Sequence, residues 1–171
     1  MLTAIKFAGV FVAALWLGGS IFFTFFVAPA FFRDPLVVEL LKPPYNGEIA
    51  QLLLKWFYKF QYVCGTFAII HLGFDWIYTG KTMQRFTLWL VLGSFAIALF
   101  GGLWMHPKLH QLHRLKHSEQ YGLKNISAEV QEMAPASFRT WHSISQGAHL
   151  LMLCALCAYL WQMMHPKEGP K

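Results

Sequence analysis

Charge is what this sequence has least of. Asp, Glu, Lys and Arg make up 13% of its 171 residues, against about 25% in an ordinary soluble domain. Cysteine is sparse too, and Cys64, Cys154 and Cys157 give no disulfide framework. There is no P-loop, dinucleotide fingerprint, nucleophile elbow or H-E-x-x-H. Internal repeats and low-complexity tracts are missing as well. The usual signatures of nucleotide, acyl-transfer and zinc-protease chemistry are thereby excluded. The reading leans away from an enzyme, and no catalytic residue is assigned. Cys154 and Cys157 form a C-x-x-C inside an apolar run. A redox or zinc pair needs access and polar neighbours, so these are expected to be buried small hydrophobes.

Apolar residues fill the space that charge leaves, at 56% of the chain. They are clumped into long runs. A bilayer core of about 30 Å takes roughly 20 apolar helical residues to cross, and four segments meet that test: residues 4–32, 56–78, 86–105 and 142–164. Arg33, Asp34 and Pro35 close the first, and Thr79, Gly80 and Lys81 the second. His106 and Pro107 close the membrane part of the third, and His165 and Pro166 the fourth. Trp56, Trp76, Trp89, Trp104, Trp141 and Trp161 lie near span ends, where an indole sits between lipid and water. The first run is far longer than the roughly 7–15 residues of a signal-peptide core, so it reads as a retained helix. Continuous runs rich in Leu, Ala and Phe are helices rather than the short alternating strands of a barrel. The expected fold is all-α: a single-domain integral membrane four-helix bundle over residues 1–171, in up-down topology.

Four spans put both termini on one side, with Lys81, Arg85, Lys167 and Lys171. The other side carries Arg33, Lys42, Lys55, Lys59, Lys108, Arg114, Lys116, Lys124 and Arg139. The positive-inside rule places that side in the cytoplasm and the termini outside, in the periplasm of a bacterial inner membrane. The net charge of +6 is spread over loops, as suits anionic headgroups, and calls for no nucleic-acid partner. Residues 33–52, with Pro35, Pro43, Pro44 and Gly47, read as irregular or partly helical. Ser127 reads as the cap of a short helix that Pro135 ends, with Glu129 and Glu132 in its first turns.

Two constellations carry chemistry. His106, His110, His113 and His117 are spaced by four, three and four residues, which places them on one face of a continued helix. Imidazoles so spaced hold a transition metal; otherwise they form the titratable face of an interfacial helix. The second is a polar stripe on the fourth span, His142, Ser145, Gln146 and His149. Gln61, Cys64, Ala68, His71 and Asp75 make a matching stripe on the second span, and His71 and Asp75 are spaced to pair. Ser20 and Thr24 on the first span, and Ser94, Ala98, Gly101 and Gly102 on the third, complete a small, partly polar interior. Such groups face the bundle interior, either as interhelical hydrogen bonds or as a cavity or path. Gly18, Gly19, Gly101 and Gly102 would allow close helix approach. For a bis-histidine haem, His71 and His149 differ in depth by about 12 Å at the helical rise. His106 and His142 are better matched.

Three stretches carry a resemblance: LWLGGSIFFTFFVAPAFF at 15–32, GLWMHPKLHQLHRLKH at 102–117 and FRTWHSISQGAHLL at 138–151. Trp16, Gly18, Gly19, Ala28 and Pro29, then Trp104 and Pro107, then Phe138, His142 and Ser145 follow one another in order. In these positions the chain resembles the transmembrane-protein-205-like family, also known in bacteria as a domain of unknown function. The resemblance implies a membrane location; one animal member is associated with resistance to a platinum drug. His110, His113, His117 and His149 stand outside the family pattern. The leading expectation is a membrane protein that handles a small solute or metal through its polar interior. The alternatives are a structural or assembly subunit, as a homo-oligomer or in a membrane complex, and a haem-binding redox protein.

Overall fold

The computed structural model describes residues 2–80, 84–124 and 126–165. Lys81, Pro166, Lys167 and Lys171, used above for span ends and orientation, lie outside the described residues. Among the described residues the chain is helical, without strands. The helices are α1 (Leu2–Phe22), α2 (Ala28–Arg33), α3 (Pro35–Leu40), α4 (Tyr45–Thr79), α5 (Arg85–Phe100), α6 (His106–Lys116) and α7 (Ala128–Met164). Two π-helical stretches, Phe23–Val27 and Gly101–Met105, join α1 to α2 and α5 to α6 without a break. Three continuous helical segments are long and apolar enough to cross a membrane: Thr3–Arg33, Arg85–Lys116 and Ala128–Met164.

α4 is not among those three. Its 35 residues extend about 52 Å, so length is not the reason. Lys55, Lys59, Gln61, His71 and Asp75 dilute its apolar content. It also begins at Tyr45, well before the expected residue 56. α7 likewise starts at Ala128, with Ser127 Oγ accepting from Val130 N at 3.4 Å and Glu129 in the first turn. Pro135 does not end a short helix there but sits inside α7. The other boundaries have simple causes. Asp34 closes α2 and caps α3, its Oδ1 accepting from Leu36 N and Val37 N. Gly80 ends α4 at φ 61, a left-handed conformation that glycine adopts without strain.

Both π-helical stretches obey one sequence rule. Pro29 follows Phe23 by six residues, and Pro107 follows Gly101 by six. A proline has no N–H for the carbonyl one turn back, and its ring crowds that carbonyl. Widening the preceding turn to i→i+5 bonds relieves the clash, with Ala28 N bonded to Phe23 O and His106 N to Gly101 O. Each widened turn also rotates the residues beyond it about the helix axis.

α1 packs against α4 and α7, and α5 packs against the same two helices. Their shared core includes Ala13, Trp16, Cys64, Ala68, Val91, Ala98, Leu156 and Tyr159. Small residues alternate with large ones, so backbones approach closely around Trp16 and Tyr159. At Gly9 and Gly47 an imidazole, His71 and His113 respectively, occupies the space a Cβ would take. Tyr58 and Tyr62 do the same at Gly102. Gly19 receives Phe60, whereas Gly18 faces open space and takes no part in close approach. Outward, the helices present Phe7, Phe11, Phe22, Phe26, Phe67, Ile77, Leu150 and Leu151. Cys154 and Cys157 belong to this exposed surface, contrary to the expectation of burial; only Cys64 is buried. Their spacing puts both on the outward side of α7, where a small apolar group is equally at home in lipid.

Candidate functional site

The expected polar interior divides into two parts. The first is a closed packing network. Trp16 Nε1 donates to Gln61 Oε1, Gln61 Nε2 donates to Ser20 Oγ at 3.0 Å, and Ser20 Oγ donates to Trp16 O at 2.6 Å. Trp16, Ser20 and Gln61 are all fully buried. One polar side chain on α4 is thus held by two on α1. His71 also ties α4 to α1, through Nε2 and Ile5 O at 2.8 Å. Its Nδ1 is buried without a hydrogen-bond partner, so the expected His71–Asp75 hydrogen bond is not formed. Gly9 beneath the ring makes the approach to Ile5 O possible.

The second part opens into a cavity of about 550 Å³ at the end of the molecule where α2, α4, α6 and α7 meet. His142, Ser145, Gln146 and His149 of α7 all line it, with Phe138 one turn above them. Thr24 and Phe23 enter from the π-helical stretch, and Phe31 and Phe32 from α2. α4 contributes Asn46, Gln51 and Phe57, α6 contributes His113 and Lys116, and His117 follows at the cap of α6. The space exists because α1 lies along α7, whereas past the widened turn α2 packs on α3 and α4 and hardly touches α7. Thr24 Oγ1 donates to Ser20 O at 2.7 Å, and His149 Nε2 lies 2.7 Å from Thr24 Oγ1. Since the hydroxyl proton is already given to Ser20 O, His149 donates from Nε2 and keeps Nδ1 as an acceptor. The ring stands edge-on to Phe57 at 5.5 Å.

The four-histidine face of α6 does other work. Three of its imidazoles reach the start of α4: His106 Nε2 to Gln51 O at 3.0 Å, His110 Nε2 to Glu48 Oε2 at 2.9 Å and His113 Nε2 to Pro44 O at 3.3 Å. His117 Nδ1 bonds Gln120 Oε1 at 3.0 Å. Glu48 Oε1 also accepts from Tyr121 at 2.9 Å. Burial alone would raise the Glu48 carboxyl, but the bonds from His110 and Tyr121 outweigh it and hold it below the ordinary value. Burial, then the bond to Glu48, pushes the Tyr121 hydroxyl up. The expected metal site at His106, His110, His113 and His117 is therefore not assembled. Among the described residues no group of three His, Cys, Asp or Glu is placed to hold a metal. His106, His110 and His113 are spent as a zipper of hydrogen bonds between α6 and the start of α4, within the stretch expected to be irregular or partly helical. The suggested haem pair is not brought to one site either. His142 lines the cavity, whereas His106 is turned to Gln51 and does not.

Phe23, Phe31, Phe57 and Asn46 were not singled out from the sequence, and Lys116 only for its charge. The available signal was the pair of prolines six residues after the start of each widened turn.

Long apolar helices, outward aromatic and aliphatic side chains and a polar interior define a helical integral membrane protein. The chain belongs to the DUF4149 family, a domain of unknown function whose profile matches residues 11–118. That match takes in both widened turns and the α6 histidines and stops short of α7. Comparison with curated proteins and with solved structures found no match.

Proposed function

We propose that this protein is a four-span bundle that binds an amphipathic small molecule drawn from the bilayer. The cavity between α2 and α7 carries this reading: its volume is about 550 Å³, and phenylalanine and imidazole share its wall. That size falls within the roughly 300–1,000 Å³ usual for small-molecule sites. The parting of α2 from α7 gives a lateral entrance for a molecule dissolved in lipid, which suits a solute-handling role better than a path across the bundle. The Trp16–Gln61–Ser20 network favours a packing role for the remaining polar residues.

Tryptophan spacing supports α4 as the fourth span. Trp56 and Trp76 on α4 and Trp141 and Trp161 on α7 are separated by about 30 Å at the helical rise, and Trp89 and Trp104 by about 22 Å. Those separations approach the thickness of a bilayer core. In this arrangement the cavity lies at the end marked by Trp56, Trp104 and Trp141, on the cytoplasmic side of an inner membrane by the positive-inside rule, with the termini periplasmic. Ala28–Pro29 and Trp104–Pro107 support the closer kinship with transmembrane-protein-205-like proteins, because these prolines follow the two widened turns.

Native mass spectrometry of the purified protein tests the function. An amphiphile should co-purify at stoichiometric occupancy and be lost when Val27→Trp fills the cavity. Undiminished occupancy in that variant, or no bound amphiphile in the native protein, would overturn the reading.

A further inference from the structure

Lys116 is the one formally charged residue of the cavity wall. That wall also has four histidines but no Asp or Glu. Several of these groups gather on one ring. Lys116 Nζ lies 5.7 Å from the centre of Phe138, His142 stacks on that ring at 5.7 Å, and His113 lies 6.0 Å away. Lys116 has no carboxylate partner among the described residues, and His142 has no hydrogen-bond partner there. Nitrogen groups without protein acceptors, set on a greasy surface at the mouth of an apolar cavity, call for an anionic oxygen group on the ligand.

We infer that the ligand is a single-chain long-chain carboxylate, its head held by Lys116 and His142 beside Phe138 and its tail running over Phe57 and Phe23 toward the opening between α2 and α7. This rests on the amphiphile-binding reading above and adds the sign and position of the head. Depth along α7 agrees. Phe138 stands about 4 Å to the water side of Trp141 and His149 about 12 Å to the lipid side, at 1.5 Å per residue. A carboxylate at Phe138 stays at the interface while its chain lies at hydrocarbon depth. The volume of a single small-molecule site leaves room for one chain rather than the two of a bilayer phospholipid.

The test is a native mass spectrometry titration in one detergent with hexadecanoate, hexadecan-1-ol and hexadecylamine. Hexadecanoate should bind tightest. Lys116→Gln should weaken it about tenfold, the scale of one lost charge-assisted hydrogen bond, with hexadecan-1-ol unchanged and Lys116→Arg close to native. Lys116 is exposed at the end of α6, so both variants should melt as the native protein does. Equal binding of the alcohol, with no effect of Lys116→Gln, would overturn the anionic head and leave the amphiphile cavity standing. Tightest binding of the amine would overturn the sign of the charge. A bound two-chain phospholipid that hexadecanoate does not displace would overturn the single-chain ligand. Binding of none of the three, with no co-purified lipid, would overturn both readings.

Discussion

Gln61 shows how one polar residue holds two helices in a membrane protein. It accepts from Trp16 and donates to Ser20, and all three side chains are buried. The residue types were visible in the sequence, and the inward stripe of α4 containing Gln61 was expected from its helical period. Trp16 had been noticed only for its place in a motif. Its role as a donor appears once α1 and α4 are side by side. Gln61→Leu should strand the indole N–H and remove the bond that Ser20 Oγ accepts, while the Ser20 hydroxyl keeps its bond to Trp16 O. Interhelical bonds in membranes contribute about 1 kcal/mol each, and an orphaned buried group adds a penalty of about 1–3 kcal/mol. A loss of about 2 kcal/mol is expected, read as a lower melting midpoint in detergent. A variant as stable as the native protein would remove Gln61 from the packing.

At the scale of elements, the α6–α4 zipper was the most misleading feature to read from sequence. Its period is sound for His106, His110 and His113, which share α6, whereas His117 stands at the cap that ends it. What they meet was hidden, because Pro43, Pro44 and Gly47 argued against a helix starting at Tyr45. Glu48 is the only acid in the zipper, and its carboxyl is held below its ordinary value of 4.5 by His110 and Tyr121. A depressed carboxyl stabilises the fold fully above its unfolded value, and that stabilisation is lost as pH falls through the lower folded value. The native protein should therefore melt above Glu48→Gln near neutral pH, and the gap should close as pH drops below 4.5. Melting curves of the two proteins from pH 7 to pH 3 test this, and a gap that does not change with pH would exclude the carboxylate as its source. Tyr121 and His113 also face this carboxyl and complete the group that moves with it.

For the whole molecule, the tryptophans report on the membrane. Trp16 is buried, while Trp56, Trp76, Trp89, Trp104 and Trp161 are exposed. In single-tryptophan variants reconstituted with lipids brominated at known depths, the exposed indoles should be quenched most by shallow bromines. Trp16 should be quenched weakly by all of them. Trp56 and Trp76 should also respond to a water-soluble quencher from opposite sides of the vesicle wall. Access to both from the same side would mean that α4 does not cross.

Helix and membrane were legible in the chain because a bilayer imposes a length and a composition that a single segment must meet alone. The inward faces were legible too, since the helical period alone puts His142, Ser145, Gln146 and His149 on one side of α7. Which of those faces would close and which would open was decided only by tertiary structure. Pro29 widens one turn, α2 leaves α7, and the space between them gathers residues from the widened turn, α2, α4, α6 and α7. No local pattern encodes that gathering, because the divergence of α2 from α7 depends on what each packs against elsewhere in the fold. The α6 histidines were settled the same way. Their spacing allowed a metal, but the backbone carbonyls of α4 and the carboxylate of Glu48 lay within reach of the same nitrogens and took them.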